Sequence, residues 1–227
     1  MHTLPIDAGL RAYSACCGKT ICGGCGLQHQ LRSRELGETC AFCRTALPDS
    51  DEEILAQLRK RVERKDPTAL YNLALKYGRG RFGLPVDQAK CINLLRQSAD
   101  LGNPDAHYSL GCSYYEGELG LERNKEEGTK YLEKAAEGGN IIARCSLGIT
   151  EGRNGNDVAA MRHVRLSASG GHKKSMEALI ECFENGCLHH GDLAGTLAKF
   201  YRAKAEMTSA DRDLFIASNG EDEAAYD

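Results

Sequence analysis

One short pattern returns along this chain at even intervals. Ala69-Leu70-Tyr71-Asn72-Leu73 aligns with Ala106-His107-Tyr108-Ser109-Leu110 and again with Ala143-Arg144-Cys145-Ser146-Leu147. Leu73, Leu110 and Leu147 are equally spaced. A second pattern keeps step with the first: Ser98-Ala99-Asp100-Leu101-Gly102-Asn103 aligns with Ala135-Ala136-Glu137-Gly138-Gly139-Asn140, and Ser167-Ala168-Ser169-Gly170-Gly171-His172 follows after a shorter loop. A fourth, degenerate unit opens at Ser175-Met176-Glu177-Ala178-Leu179. Self-similarity at a fixed period of this length is the mark of a repeat array. It excludes a single compact core wound from unlike elements.

The residue types inside each unit predict paired helices. Asp66-Pro67 and Asn103-Pro104 place a capping side chain before a proline at the first helical position. Gly102, Gly139 and Gly171 fall where a helix stops in a left-handed turn. Tyr108, Leu110 and Tyr114, with Tyr131 and Leu132, form the buried stripe at helical spacing, and the Ala135-Ala136 pair lets a neighbouring helix come close. Each unit reads as helix, glycine-rich loop, second helix and tight turn. No such pair buries its own apolar face, so the units must stack into an α-solenoid. Gly78, Gly80 and Gly83 superficially resemble a phosphate loop, but they follow a helix rather than a strand and belong to the repeat's own loop.

Composition narrows the function. The 227 residues carry a net charge of −3 with both signs mixed, so no basic stripe marks a nucleic-acid face. No apolar run reaches membrane-spanning length, and Met1 to Ala12 has neither the basic leader nor the apolar core of a signal peptide. These features predict no nucleic-acid or membrane partner and a cytoplasmic or nuclear location.

The eleven cysteines divide into two groups. Cys91, Cys112, Cys145, Cys182 and Cys187 are spread through the helical region and read as small core residues. The other six crowd together as Cys16-Cys17, Cys22-x2-Cys25 and Cys40-x2-Cys43. A C-x2-C turn brings two thiolates to one tetrahedral centre, so the cluster predicts zinc. Complete thiolate ligation leaves no coordination position for water, which makes the zinc structural and leaves no catalytic residue to name. Cys187 beside His189 and His190 offers a nominal nucleophile pair, but sequence proximity does not make catalytic geometry.

Two resemblances follow from these residues. The segments Ala106–Asn140 and Ala69–Asn103 resemble Sel1-like repeats, relatives of the tetratricopeptide family, and the resemblance extends over about two thirds of the chain. It implies a protein-interaction scaffold. The stretch CCGKTICGGC, followed by CAFCRTALP, resembles the second half of a RING-type zinc finger. Lys19 stands where that family places a histidine, and Cys16 is its expected substitute as ligand. Mapped on the cross-braced RING pattern, Cys16, Cys17, Cys40 and Cys43 form one zinc site, while Cys22 and Cys25 belong to a second. The partners of that second pair have no counterpart upstream, so the finger reads as N-terminally truncated or degenerate, with His2 or His29 as a replacement ligand. The combination is similar to RING–Sel1 proteins of diatoms. The resemblance further implies Ile21 and Arg44 as contacts for a ubiquitin-conjugating enzyme and ubiquitin.

The expected organisation is a partial RING-like module at 1–48, a linking helix at 49–65 and Sel1-like repeats at 66–207, followed by a C-terminal cap and frayed acidic tail at 208–227. The repeats divide as 66–102, 103–139, 140–171 and 172–207. Two functions fit. One is an adaptor with RING-type E3 ubiquitin ligase character, or the remnant of one, that recruits substrate on its repeats. The other is a non-catalytic Sel1 scaffold whose zinc module is purely structural.

Overall fold

The computed structural model describes residues 11–22, 25, 26, 28, 29 and 39–207. The expected replacement ligand His2 and the tail at 208–227 lie outside the described residues. A hairpin opens the described chain: β1 (Arg11–Ser14) pairs antiparallel with β2 (Lys19–Cys22) in the register Ser14 opposite Lys19. Helices follow: α1 (Asp51–Glu63), α2 (Pro67–Arg79), α3 (Gln88–Asp100), α4 (Pro104–Glu116), α5 (Lys125–Glu137), α6 (Ile141–Arg153), α7 (Asp157–Ser169), α8 (Lys173–Glu184) and α9 (His190–Met207). Each helix packs on the next in sequence, and α9 also lies against α7. The fold is a mainly helical solenoid with a small N-terminal module. Among the described residues, no helix is long and apolar enough to cross a membrane.

Local chemistry sets the helix ends. Asp66, Asn103, Asn140 and His172 cap α2, α4, α6 and α8 with nearly the same backbone angles. Each side chain accepts the amide of the third helical residue: Ala69, Ala106, Ala143 and Ser175 respectively. Gly102, Gly139 and Gly171 take φ of 83°, 94° and 94°, the left-handed turn expected of them. The acidic first turn of α1 (Asp51, Glu52, Glu53) and its basic last turn (Lys60, Arg61) complement the helix dipole.

The helices of each pair cross where small residues meet. A Cβ added to Gly111 of α4 would sit 2.9 Å from the Leu132 side chain and 3.1 Å from the Gly128 carbonyl. One added to Gly128 of α5 would sit 2.9 Å from the Gly111 carbonyl. Gly148 of α6 likewise approaches Val164 and the Ala160 carbonyl of α7. The stacked core runs through Leu58, Leu73, Leu95 and Leu110, continues through Leu132, Ala135 and Leu147, and ends in Ala168, Met176, Leu179 and Phe200.

Two sequence expectations need correction. Tyr108, Tyr114 and Tyr131 are only half-buried, and Tyr108 and Tyr131 pack against the core from its edge. There Tyr114 stacks on Tyr131 at 5.5 Å and accepts a hydrogen bond from Arg96. Cys187 is exposed, since it follows the left-handed turn at Gly186 that ends α8. Cys91 is buried, and Cys112, Cys145 and Cys182 are half-buried.

Candidate metal centre

The structure brings Cys16, Cys17, Cys40 and Cys43 together. Their sulfurs all lie within 4.8 Å of one another, with Cys16 Sγ to Cys43 Sγ at 3.4 Å and Cys17 Sγ to Cys40 Sγ at 3.8 Å. A zinc ion with four bonds of about 2.3 Å holds its ligands at the corners of a tetrahedron whose edge is about 3.8 Å. Two of the sulfur pairs lie near that edge, and no pair exceeds it by more than about 1 Å.

Two tight turns present these sulfurs. Cys16 and Cys17 sit in the turn between β1 and β2, where the Cys17 and Gly18 amides donate to the Ser14 carbonyl at 3.2 and 2.8 Å. Gly18 has φ 74°, which a side chain would strain. Cys40 and Cys43 sit in a knuckle closed by Cys40 N–H to Thr45 O (2.8 Å), Arg44 N–H to Cys40 O (3.0 Å) and a bridge from Thr39 to Ala46.

The thiols differ in acidity. Burial, with hydrogen bonds to Cys43 and Cys40, pushes the Cys16 thiol well up. Burial likewise raises Cys17, with the Cys40 thiol adding to it. Desolvation acts upward on Cys40 too, but the Cys43 and Phe42 amides outweigh it and hold the thiol at about 6. The Thr45 hydroxyl and amide lower Cys43. Four thiolates at this spacing repel one another, so full ionisation requires a cation among them.

The remaining predicted residues are placed as follows. Cys22 closes β2, and its side chain lies outside the described residues. Cys25 is exposed and stands outside the four-sulfur group. Lys19 places its ammonium 5.3 Å from the centre of the Phe42 ring. Ile21 is half-buried in β2 and faces Gly26. Arg44 is exposed, with φ 61°, and donates to His29 Nε2 at 3.3 Å.

Sequence reasoning missed the residues that fix this module to the solenoid. Arg61 of α1 donates from Nε to the Ala15 carbonyl at 3.2 Å and from Nη2 to the Cys16 carbonyl at 2.8 Å. The Tyr13 hydroxyl donates to Asp66 Oδ2 at 2.7 Å. Burial, then this hydrogen bond, pushes the phenol's pKa upward and keeps it a donor. Tyr13 and Ala15 pack on the core that includes Leu55 and Leu58. Asp66 was recognisable only as a helix cap, and nothing in the sequence signals its second role.

A separate groove of about 1020 Å³ opens between α7, α8 and α9. Met161, Val164, Leu179 and Cys182 give it apolar lining, and Arg162 and Lys199 line it as well. Arg165 also lines it and pairs with Asp192 at 2.8 Å.

Comparison with known proteins assigns part of the array. Residues 67–103 and 104–140 each match the Sel1 repeat family, and these two segments are Sel1 repeats. Solved structures of the same fold include c5321, a protective antigen of uropathogenic Escherichia coli with an SLR fold. It is 24% identical over 73% of this chain and 36% of its own length, with a TM-score of 0.59. The Sel1 repeat protein from Oxalobacter formigenes is 23% identical over 67% of this chain and 64% of its own, also at 0.59. The chain thus spans less than two thirds of either relative. A comparison with curated protein sequences gives no match.

Proposed function

We propose that this chain is a protein-interaction adaptor whose N-terminal lobe is held by one structural zinc ion on Cys16, Cys17, Cys40 and Cys43. The observation that carries this reading is the convergence of four sulfurs from two separate turns at near-tetrahedral spacing. Once all four thiolates bind, no position remains for water, so the ion orders the lobe rather than catalyses. The helices then offer the recruiting surface, and the groove between α7, α8 and α9 is an apolar recess able to take a partner's side chains. A zinc–thiolate module of this kind belongs to a reducing compartment, the cytoplasm or nucleus.

Metal analysis of the purified chain tests the reading. One equivalent of zinc is expected, and Cys40→Ser should release it. A protein with no zinc after expression in zinc-supplemented medium refutes the four-thiolate site. Two equivalents would bring Cys22 and Cys25 into a second centre.

A RING-type E3 ligase is the second reading. It is favoured by the exposed Arg44, carried on the residue directly after the last knuckle cysteine, and by the resemblance of the cysteine spacing. It requires autoubiquitination with a charged conjugating enzyme, reduced by Arg44→Ala and by substitution of Ile21. Zinc binding with no discharge of any conjugating enzyme leaves the scaffold reading alone.

A further inference from the structure

We infer that zinc occupancy controls the stability of the first repeat, α2–α3, through Arg61 and Asp66, which join the metal-binding turn to the helices. The inference rests on the four-thiolate reading above and adds a regulatory link to it.

Two residues join the N-terminal lobe to the solenoid. Cys16 sends its sulfur to Cys43 and its carbonyl to Arg61. A backbone rearrangement of the turn that carries the sulfur away carries the carbonyl with it. Asp66 divides its carboxylate: Oδ1 accepts the Thr68 and Ala69 amides at 3.0 and 3.1 Å and so caps α2, while Oδ2 accepts the Tyr13 hydroxyl. The fit between hairpin and helices is close. A Cβ on Gly18 would lie 2.7 Å from Asp66 Oδ2 and 3.1 Å from Arg61 Nη1.

With zinc bound, the turn is fixed by four metal–sulfur bonds. It then presents Tyr13 and two carbonyls to α1 and α2 in one arrangement. Without the metal, four close thiols hold the turn only weakly, and the ordering of Arg61 and Asp66 must be supplied by the helices. Coupling of this kind is reciprocal: zinc stabilises the start of the repeat array, and the docked array raises zinc affinity. A solenoid transmits such an effect to its nearest neighbours, so the response should be largest in α1 and α2 and fade along the array.

The test uses the full chain. Metal-free protein is prepared by chelation and titrated with zinc. Occupancy is followed in parallel by the thiolate charge-transfer absorption of Co²⁺, and amide hydrogen exchange is measured at Thr68, Ala69 and Leu70, with Ala143 as a distant reference. Zinc is expected to slow exchange in the first turn of α2 and to leave Ala143 unchanged. The double variant Tyr13→Phe, Arg61→Ala should keep the Co²⁺–thiolate absorption, bind metal about tenfold more weakly or worse, and lose the slowing. If the double variant does not fold, Tyr13→Phe alone, which retains every ligand and both Arg61 contacts, should keep the Co²⁺–thiolate absorption and lose part of the slowing. Normal metal binding with unchanged exchange in α2 overturns the inference and leaves the zinc site standing. Absence of Co²⁺–thiolate absorption removes the zinc site and the inference together.

Discussion

Replacing Gly128 by alanine isolates the force that sets the spacing of the helix pairs. On an open helix surface, glycine to alanine stabilises by about 0.5–1 kcal/mol, because alanine gives up less backbone entropy on folding. At Gly128 the new methyl would lie 2.9 Å from the Gly111 carbonyl, 3.0 Å from the Tyr115 amide and 3.2 Å from the Tyr115 Cβ. Two of these contacts are backbone, so a rotamer change cannot relieve them, and α4 and α5 must move apart by several tenths of an ångström. Overpacking of this kind costs about 1–3 kcal/mol. The net expectation is destabilisation of about 1–2 kcal/mol, or some 2–8 °C in the melting midpoint. Gly195 is the internal control: it lies within α9 with nothing within 4 Å of an added Cβ. Gly195→Ala should therefore stabilise by up to about 1 kcal/mol. Urea unfolding followed by far-ultraviolet circular dichroism measures both. If Gly128→Ala stabilises as much as Gly195→Ala does, the close approach of the two helices is not what determines their packing.

Two other outcomes follow from the caps and the core. His172 caps α8 by accepting the Ser175 amide at Nδ1, and burial, with Lys174 adding to it and Glu177 opposing, lowers its pKa. The unfolded chain therefore takes up this proton first as pH falls. The cap's contribution is complete above the ordinary histidine value of about 6.5 and declines as pH drops through that value towards the folded one. Urea midpoints at pH 7.5 and 5.5 should differ less in His172→Asn, which copies Asn103 and Asn140, than in the wild type. Leu110 is wholly buried between helices, so Leu110→Ala should cost about 2–5 kcal/mol, whereas Val158→Ala at an 84% exposed position should stay within about 0.5 kcal/mol of wild type in the same assay.

The helical array was legible because its signals are local and repeated. Asp66-Pro67, Asn103-Pro104 and the glycines at 102, 139 and 171 specify helix ends within a few residues of themselves, and the structure uses them so. His172 occupies the same capping position with a ring nitrogen, which residue type alone does not announce. The small residues Gly111, Gly128 and Gly148 went unread as packing positions: a glycine within a helix looks like a weakness until its partner is known, and that partner lies on another helix. In the N-terminal lobe, spacing marked six cysteines as a zinc cluster, and the RING resemblance singled out Cys16, Cys17, Cys40 and Cys43 as one site. The ties from Tyr13 to Asp66 and from Arg61 to Ala15 and Cys16 span 45 to 53 positions of sequence, and no short-range pattern encodes them.

The helices from α1 to α7 are all 13 residues long, whereas the connection inside a pair is not constant: 80–87 and 117–124 join the first two pairs, and only 154–156 joins the third. The longer connections tuck Phe82, Leu84, Leu119 and Leu121 against the helices and carry a left-handed residue at Phe82 and again at Leu119. One flank of the array is consequently thick over its first two units and thin over the third. A ligand lying along that flank meets a step, and the step gives an otherwise periodic surface a direction and a starting point.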